Sequence, residues 1–171
     1  MQLGATLGAR TPLGVSGAFS LGEYNRYMEL VVKDLEEFTA FAAGFIKTIV
    51  PRETGATLVT LSGELGAGKT VFVKVVAQTL GVTETVTSPT FVLEKIYPLS
   101  GGAFKNLIHI DAYRFEDSAE ISALNFEELM KDSGNLVVLE WPERVKNALP
   151  KAHVTITLEA LPDGSRKIAY V

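Results

Sequence analysis

A chain of 171 residues that is 47% hydrophobic and 21% charged has the size and make-up of one soluble globular domain with a sizeable core. Its net charge of −4 and pI near 5.3 argue against an overall basic surface for gripping nucleic acid, so any contact with RNA is expected to run through a partner. Cysteine is absent, which excludes disulfides and thiolate metal sites, and no run approaches the roughly 20 apolar residues of a membrane span.

Residues 1–27 are rich in Gly, Ala, Ser and Thr without periodicity and read as a flexible extension; 28–171 form the patterned domain. Thr11 to Gly22 carry too few large apolar side chains for a signal-peptide core, so the cytoplasm is the expected compartment. Asp34 is placed to cap a helix, with Glu37 three residues on completing a capping box. Leu35, Phe38, Phe41, Ala42, Phe45, Ile46 and Ile49 recur at helical spacing, which predicts a core-facing aromatic stripe ending at Pro51. Thr57 to Ser62 is a short β-branched run that reads as a buried strand.

Gly63-Glu64-Leu65-Gly66-Ala67-Gly68-Lys69-Thr70 follows, filling every fixed position of G-x-x-x-x-G-K-[ST]. Val71 to Leu80 then reads as a helix closed by Gly81. Strand, glycine loop and helix in that order make a phosphate nest: glycines admit positive φ, and the helix start adds unpaired N–H groups and its dipole. Lys69 is the cation for the β- and γ-phosphates and Thr70 the hydroxyl for Mg²⁺. A structural βα turn would not need Lys-Thr after its last glycine.

Beyond the helix, Ser88-Pro89-Thr90 reads as a loop because Pro89 keeps Ser88 extended. Its two hydroxyls suit a γ-phosphate sensor, and an ordinary Ser-Pro turn fits equally well. Phe91 to Tyr97 and Phe104 to Asp111 are expected to pair about a turn at Ser100-Gly101-Gly102. Short helices are expected over 117–131 and from Pro142 to about Pro150. Leu136 to Leu139 is a buried strand, and Val154 to Leu158 with Lys167 to Val171 form a hairpin around Pro162-Asp163-Gly164.

Two acids stand at strand ends. Glu140 after four apolar residues has the form of a Walker B acid, with Glu where Asp is usual. Asp111 shares a strand face with His109 and Tyr113 and suits either a water-mediated Mg²⁺ contact or orientation of the attacking water. His109 itself reads as a hydrogen-bonded histidine inside the sheet. Arg114 fits a surface, partner or phosphate contact.

Taken together, the glycine loop, Thr87-Ser88-Pro89-Thr90-Phe91, His109-x-Asp111-x-Tyr113-Arg114 and Glu140-Trp141-Pro142-Glu143 resemble the TsaE (YjeE) family, with the four motifs in order over about 28–171. The resemblance implies an α/β, P-loop NTPase-like mixed fold with a mostly central β-sheet flanked by helices. It implies a slow Mg-ATP hydrolase, an ATPase acting with TsaB- and TsaD-type proteins on N6-threonylcarbamoyladenosine at position 37 of tRNA, with the tRNA touched only indirectly. Carried over by residue, Glu64, Leu65, Gly66, Ala67, Gly68, Lys69 and Thr70 bind ATP, and Thr70 and Glu140 hold Mg²⁺. Asp111 is the second essential acid and a further ATP contact, Ser88, Pro89 and Thr90 form the switch-like loop, and Thr39 lies near the adenine. Trp141 is expected to shape the nucleotide site or a partner surface. Residues 1–27 match nothing in the family pattern, and Val71 replaces a frequent Thr; neither removes a ligand.

Other classes are weighed against this. A nucleotide-gated binding module with negligible turnover fits the same motifs. A small-molecule kinase would need a lid with clustered arginines, and a GTPase an N-K-x-D segment; the sequence has neither.

Overall fold

The computed structural model describes residues 27–171, and the expected extension over 1–27 falls almost wholly outside them. One mixed sheet of seven strands runs through the described chain: β1 (Met28–Val32), β2 (Thr57–Ser62), β3 (Glu94–Pro98), β4 (Asn106–Asp111), β5 (Asn135–Glu140), β6 (Val154–Ala160) and β7 (Arg166–Tyr170). Its order is β1-β7-β6-β2-β5-β4-β3. The inner four strands, β6-β2-β5-β4, are parallel, and antiparallel pairs close both edges.

The inner strands are apolar on both sides because both faces are covered. Val59, Leu61, Leu136, Val138 and Ile156 pack with α1 (Leu35–Ile46) and α2 (Lys69–Thr79). Leu58, Ile108, Ile110, Val137 and Leu139 pack instead with Phe115, with Ile121 of the 3₁₀ turn Ser118–Leu124, with Phe126 of α3 (Phe126–Leu129) and with Val145 beyond β5. The aromatic stripe of α1 is core, as its spacing predicts: Phe38 and Phe45 meet Phe72 of α2 edge-on or tilted, and Phe41 and Phe45 meet Tyr170.

Several local expectations are corrected. Leu35 is 66% exposed, because it lies in the first helical turn outside the α1–α2 contact. The helix ends at Ile46, ahead of Pro51, in turns at Thr48 and Ile49. The capping box is not reciprocal: Asp34 accepts from the Glu37 N–H at 2.9 Å, but Glu37 accepts from the N–H of Lys33, not of Asp34. β3 begins at Glu94, since the chain first turns over Pro89–Leu93 with Leu93 at φ +66°. Residues after Pro142 form two 3₁₀ turns, Pro142–Arg144 and Lys146–Ala148. Edge strand β1 is an addition that the sequence pattern did not announce.

Candidate functional site

The parallel strands β2, β5 and β4 end side by side, and their carboxyl ends carry the site, as in open α/β sheets generally. Leaving β2, the chain turns through Gly63, Gly66 and Gly68 at φ +140°, +81° and +111° and enters α2 at Lys69. Gly63 is required by space as well as by φ: a Cβ there would sit 2.2 Å from the Leu158 carbonyl oxygen. The positive-φ glycines run directly into the N-terminus of α2, the backbone arrangement that suits a phosphate nest.

Lys69 is only 4% exposed. Its Nζ donates to the carbonyls of Gly63 at 2.6 Å and Glu64 at 2.9 Å and lies 3.7 Å above the Trp141 ring. Burial lowers the Lys69 pKa below the ordinary lysine value, while Glu140, Glu143 and Asp111 pull the other way. Trp141 is fixed beneath it by an N–H bond to the Leu61 carbonyl and by Tyr113, whose ring centre is 5.0 Å away; its own φ is +61°.

Thr70, one residue along α2, donates its hydroxyl to Glu140 Oε2 at 3.1 Å. The other oxygen of Glu140 bonds His109 Nε2 at 2.7 Å, and both side chains are buried. His109 is thus the sheet-buried, hydrogen-bonded residue expected. Asp111 stands opposite Glu140 in the β4–β5 register. Its Oδ2 accepts from Ser88 Oγ at 2.9 Å and Thr90 Oγ1 at 2.6 Å, and its Oδ1 from the Tyr113 N–H at 3.0 Å. Ser88 and Thr90, on either side of Pro89, are therefore lashed to Asp111. Past them Phe91 projects outward, 83% exposed, with the Arg114 guanidinium stacked on its ring at 4.3 Å.

A cleft of about 160 Å³ opens on the outer side of the glycine loop, walled by Leu35 and Phe38 of α1, Gly66 to Gly68, Val71 and Arg166. Thr39 is half-buried on α1 and does not line it. Glu64 and Leu65 are exposed at the loop tip, and Ala67 is buried beneath it. Sequence reasoning missed the cleft wall and the Glu140–His109 and Lys69–Trp141 contacts. Only the Glu-Trp pair at the end of an apolar run hinted at the last of these.

The family model of threonylcarbamoyl adenosine biosynthesis protein TsaE matches residues 32–168. The chain belongs to the TsaE family. A Treponema pallidum relative named tRNA threonylcarbamoyladenosine biosynthesis protein TsaE is 42% identical over 123 residues, 71% of this chain and 87% of that protein. Its namesake in Bacillus subtilis is 35% identical over 136 residues, 72% and 82% of the two chains. The crystal structure of Bacillus subtilis YdiB superposes with a TM-score of 0.67 at 28% identity, covering 85% of this chain and 84% of that one. The P-loop NTPase-like α/β fold expected from the motifs is the fold found, and the TsaE glycine loop is that of a nucleotide-binding family. No described helix is long and apolar enough to cross a membrane.

Proposed function

We propose that this chain is the Mg-ATP-binding ATPase subunit that supports a TsaB–TsaD pair in forming N6-threonylcarbamoyladenosine at position 37 of tRNA. One observation carries the reading: in a chain of the TsaE family, Lys69 and Thr70 at the start of α2 converge with Glu140 and Asp111 from adjoining strand ends. The relatives' names supply the pathway. The site supplies the reason a nucleotide enters it.

ATP phosphates would enter the nest of Glu64 to Thr70 and draw Lys69 from the carbonyls of Gly63 and Glu64. The cleft beside Phe38 would take the ribose and base, with Thr39 at most at its margin. The Thr70 hydroxyl and the Glu140 carboxylate would hold Mg²⁺; they are hard oxygen donors already in contact, and no cage of three acidic, His or Cys ligands exists among the described residues. One or two carboxylate or hydroxyl oxygens, completed by phosphates and water, is how proteins usually bind this ion. When bound it neutralises charge on the phosphate oxygens. Asp111 would orient the attacking water once Ser88 and Thr90 release it, so the Ser88–Thr90 loop would relay the γ-phosphate state to the partner. With a net charge of −4, the tRNA is contacted through the partners, in the cytoplasm.

A second reading, a nucleotide-gated assembly module with negligible turnover, is favoured by the same Asp111 contacts: all three bonds occupy the carboxylate that hydrolysis would need. Turnover and binding measured side by side separate the two. Glu140→Ala and Asp111→Ala are expected to lower ATP turnover at least tenfold while nucleotide affinity changes less. Full turnover in Glu140→Ala would overturn the metal assignment.

A further inference from the structure

Glutamate at the end of β5 raises a problem that aspartate would not. It has one more rotatable bond, and so more conformational freedom to lose before its carboxylate points in one direction. The structure holds that carboxylate from both sides: Thr70 Oγ1 donates to Oε2 at 3.1 Å and His109 Nε2 lies 2.7 Å from Oε1. A carboxylate accepts only, so the hydrogen in the second contact belongs to Nε2. His109 is fully buried, and its Nδ1 has no hydrogen-bond partner among the described residues. A buried imidazole with one nitrogen unsatisfied costs stability. The Glu140 contact is the imidazole's one hydrogen bond among the described residues.

We infer that His109 is a positioning residue for Glu140, holding Oε1 so that Oε2 faces the Thr70 hydroxyl where Mg²⁺ is taken up. The inference rests on the proposed Thr70–Glu140 metal site. Geometry supports it beyond the single distance. His109 lies on β4 opposite Val138 of β5, two residues before Asp111, so the contact crosses diagonally between the strands that carry the two acids. A charge-assisted bond of this length inside a dry sheet is directional, and outer-sphere partners of metal ligands typically change metal affinity 10–100-fold when removed.

The test is nucleotide affinity, measured by fluorescent-ADP binding across a Mg²⁺ titration and again in EDTA. His109→Leu keeps bulk and removes the donor; His109→Gln returns an amide N–H near the Nε2 position. Expected for His109→Leu is a Mg²⁺ requirement raised 10–100-fold with affinity in EDTA unchanged, and recovery of most of that loss in His109→Gln. In a Glu140→Gln background, His109→Leu should add little, because the partner is already altered. An unchanged Mg²⁺ requirement in His109→Leu, with the wild type Mg²⁺-dependent, would overturn the positioning role alone. Wild-type binding insensitive to Mg²⁺ would overturn the metal site and the inference with it. Should His109→Leu fail to fold, His109→Asn, whose amide falls a bond short, replaces it: Asn as good as Gln would overturn the inference.

Discussion

At the scale of single residues, Lys69 carries the most weight. A buried ammonium held by two backbone carbonyls and an aromatic face is ready for exchange: phosphate oxygens offer it full charge where carbonyls offer partial charge. Charged hydrogen bonds are worth roughly 1.5–3 kcal/mol each, so Lys69→Ala is expected to weaken nucleotide binding about tenfold or more, read by calorimetry. The lowered pKa of Lys69 gives the same interaction a pH signature. Burial penalises its charged form, so between its folded and unfolded pKa values the unfolded chain binds more protons and folding stability rises with pH. Nucleotide phosphate acts oppositely, favouring the ammonium. Affinity should therefore fall as pH climbs through the free-site pKa of Lys69, below the range of an ordinary lysine. Lys69→Arg, which stays charged, should bind more weakly but without the alkaline decline. A wild-type affinity flat up to that range would count against the burial of this amine.

At the scale of elements, the βα unit at β2, the glycine loop and α2 depends on backbone that only glycine allows. In Gly63→Ala the added methyl would overlap the Leu158 carbonyl on neighbouring β6 and the residue would sit at φ +140°. A loss of roughly 2–5 kcal/mol is expected from strain and overpacking, measured by urea unfolding with phosphate absent. Asp34→Ala should cost about 1 kcal/mol by removing the α1 cap, with the fold kept. The elements differ in how plainly the sequence announces them. Thr57–Ser62 and Asn135–Glu140 are buried on both faces, and the unbroken apolar run Leu136 to Leu139 and the β-branched, Leu-rich Thr57–Ser62 announce them. Met28–Val32 is an edge strand exposed along most of its length, so it has no alternation to read. The Pro89–Leu93 turn hides in Phe91-Val92-Leu93, residues of high β propensity, because the bonds from Ser88 and Thr90 to Asp111 come from a strand that is distant in sequence.

Across the whole molecule, the legible part of the site is the part made from local sequence. The glycine loop, Lys69, Thr70 and an acid at each of two strand ends follow from motif and pattern. The rest depends on topology: the order β6-β2-β5-β4 sets Glu140 against both Thr70 and His109, and the β6–β7 turn brings Arg166 to the cleft beside α1. No spacing in the chain encodes those neighbours. The same topology gathers at one edge the Asp111-bound loop and the exposed Phe91–Arg114 stack, next to the phosphate nest. On the proposed ATPase reading, a partner that pulled on that loop would free Asp111, so slow hydrolysis alone and faster hydrolysis in complex would be two outcomes of one arrangement. The measurement that tests this most directly is ATP hydrolysis by the protein alone and with a purified TsaB–TsaD pair, with Lys69→Ala as control. Stimulation of tenfold or more, abolished in Lys69→Ala, is the expected result. ATP binding with no stimulated turnover would contradict the ATPase reading and leave a nucleotide-gated assembly module in its place.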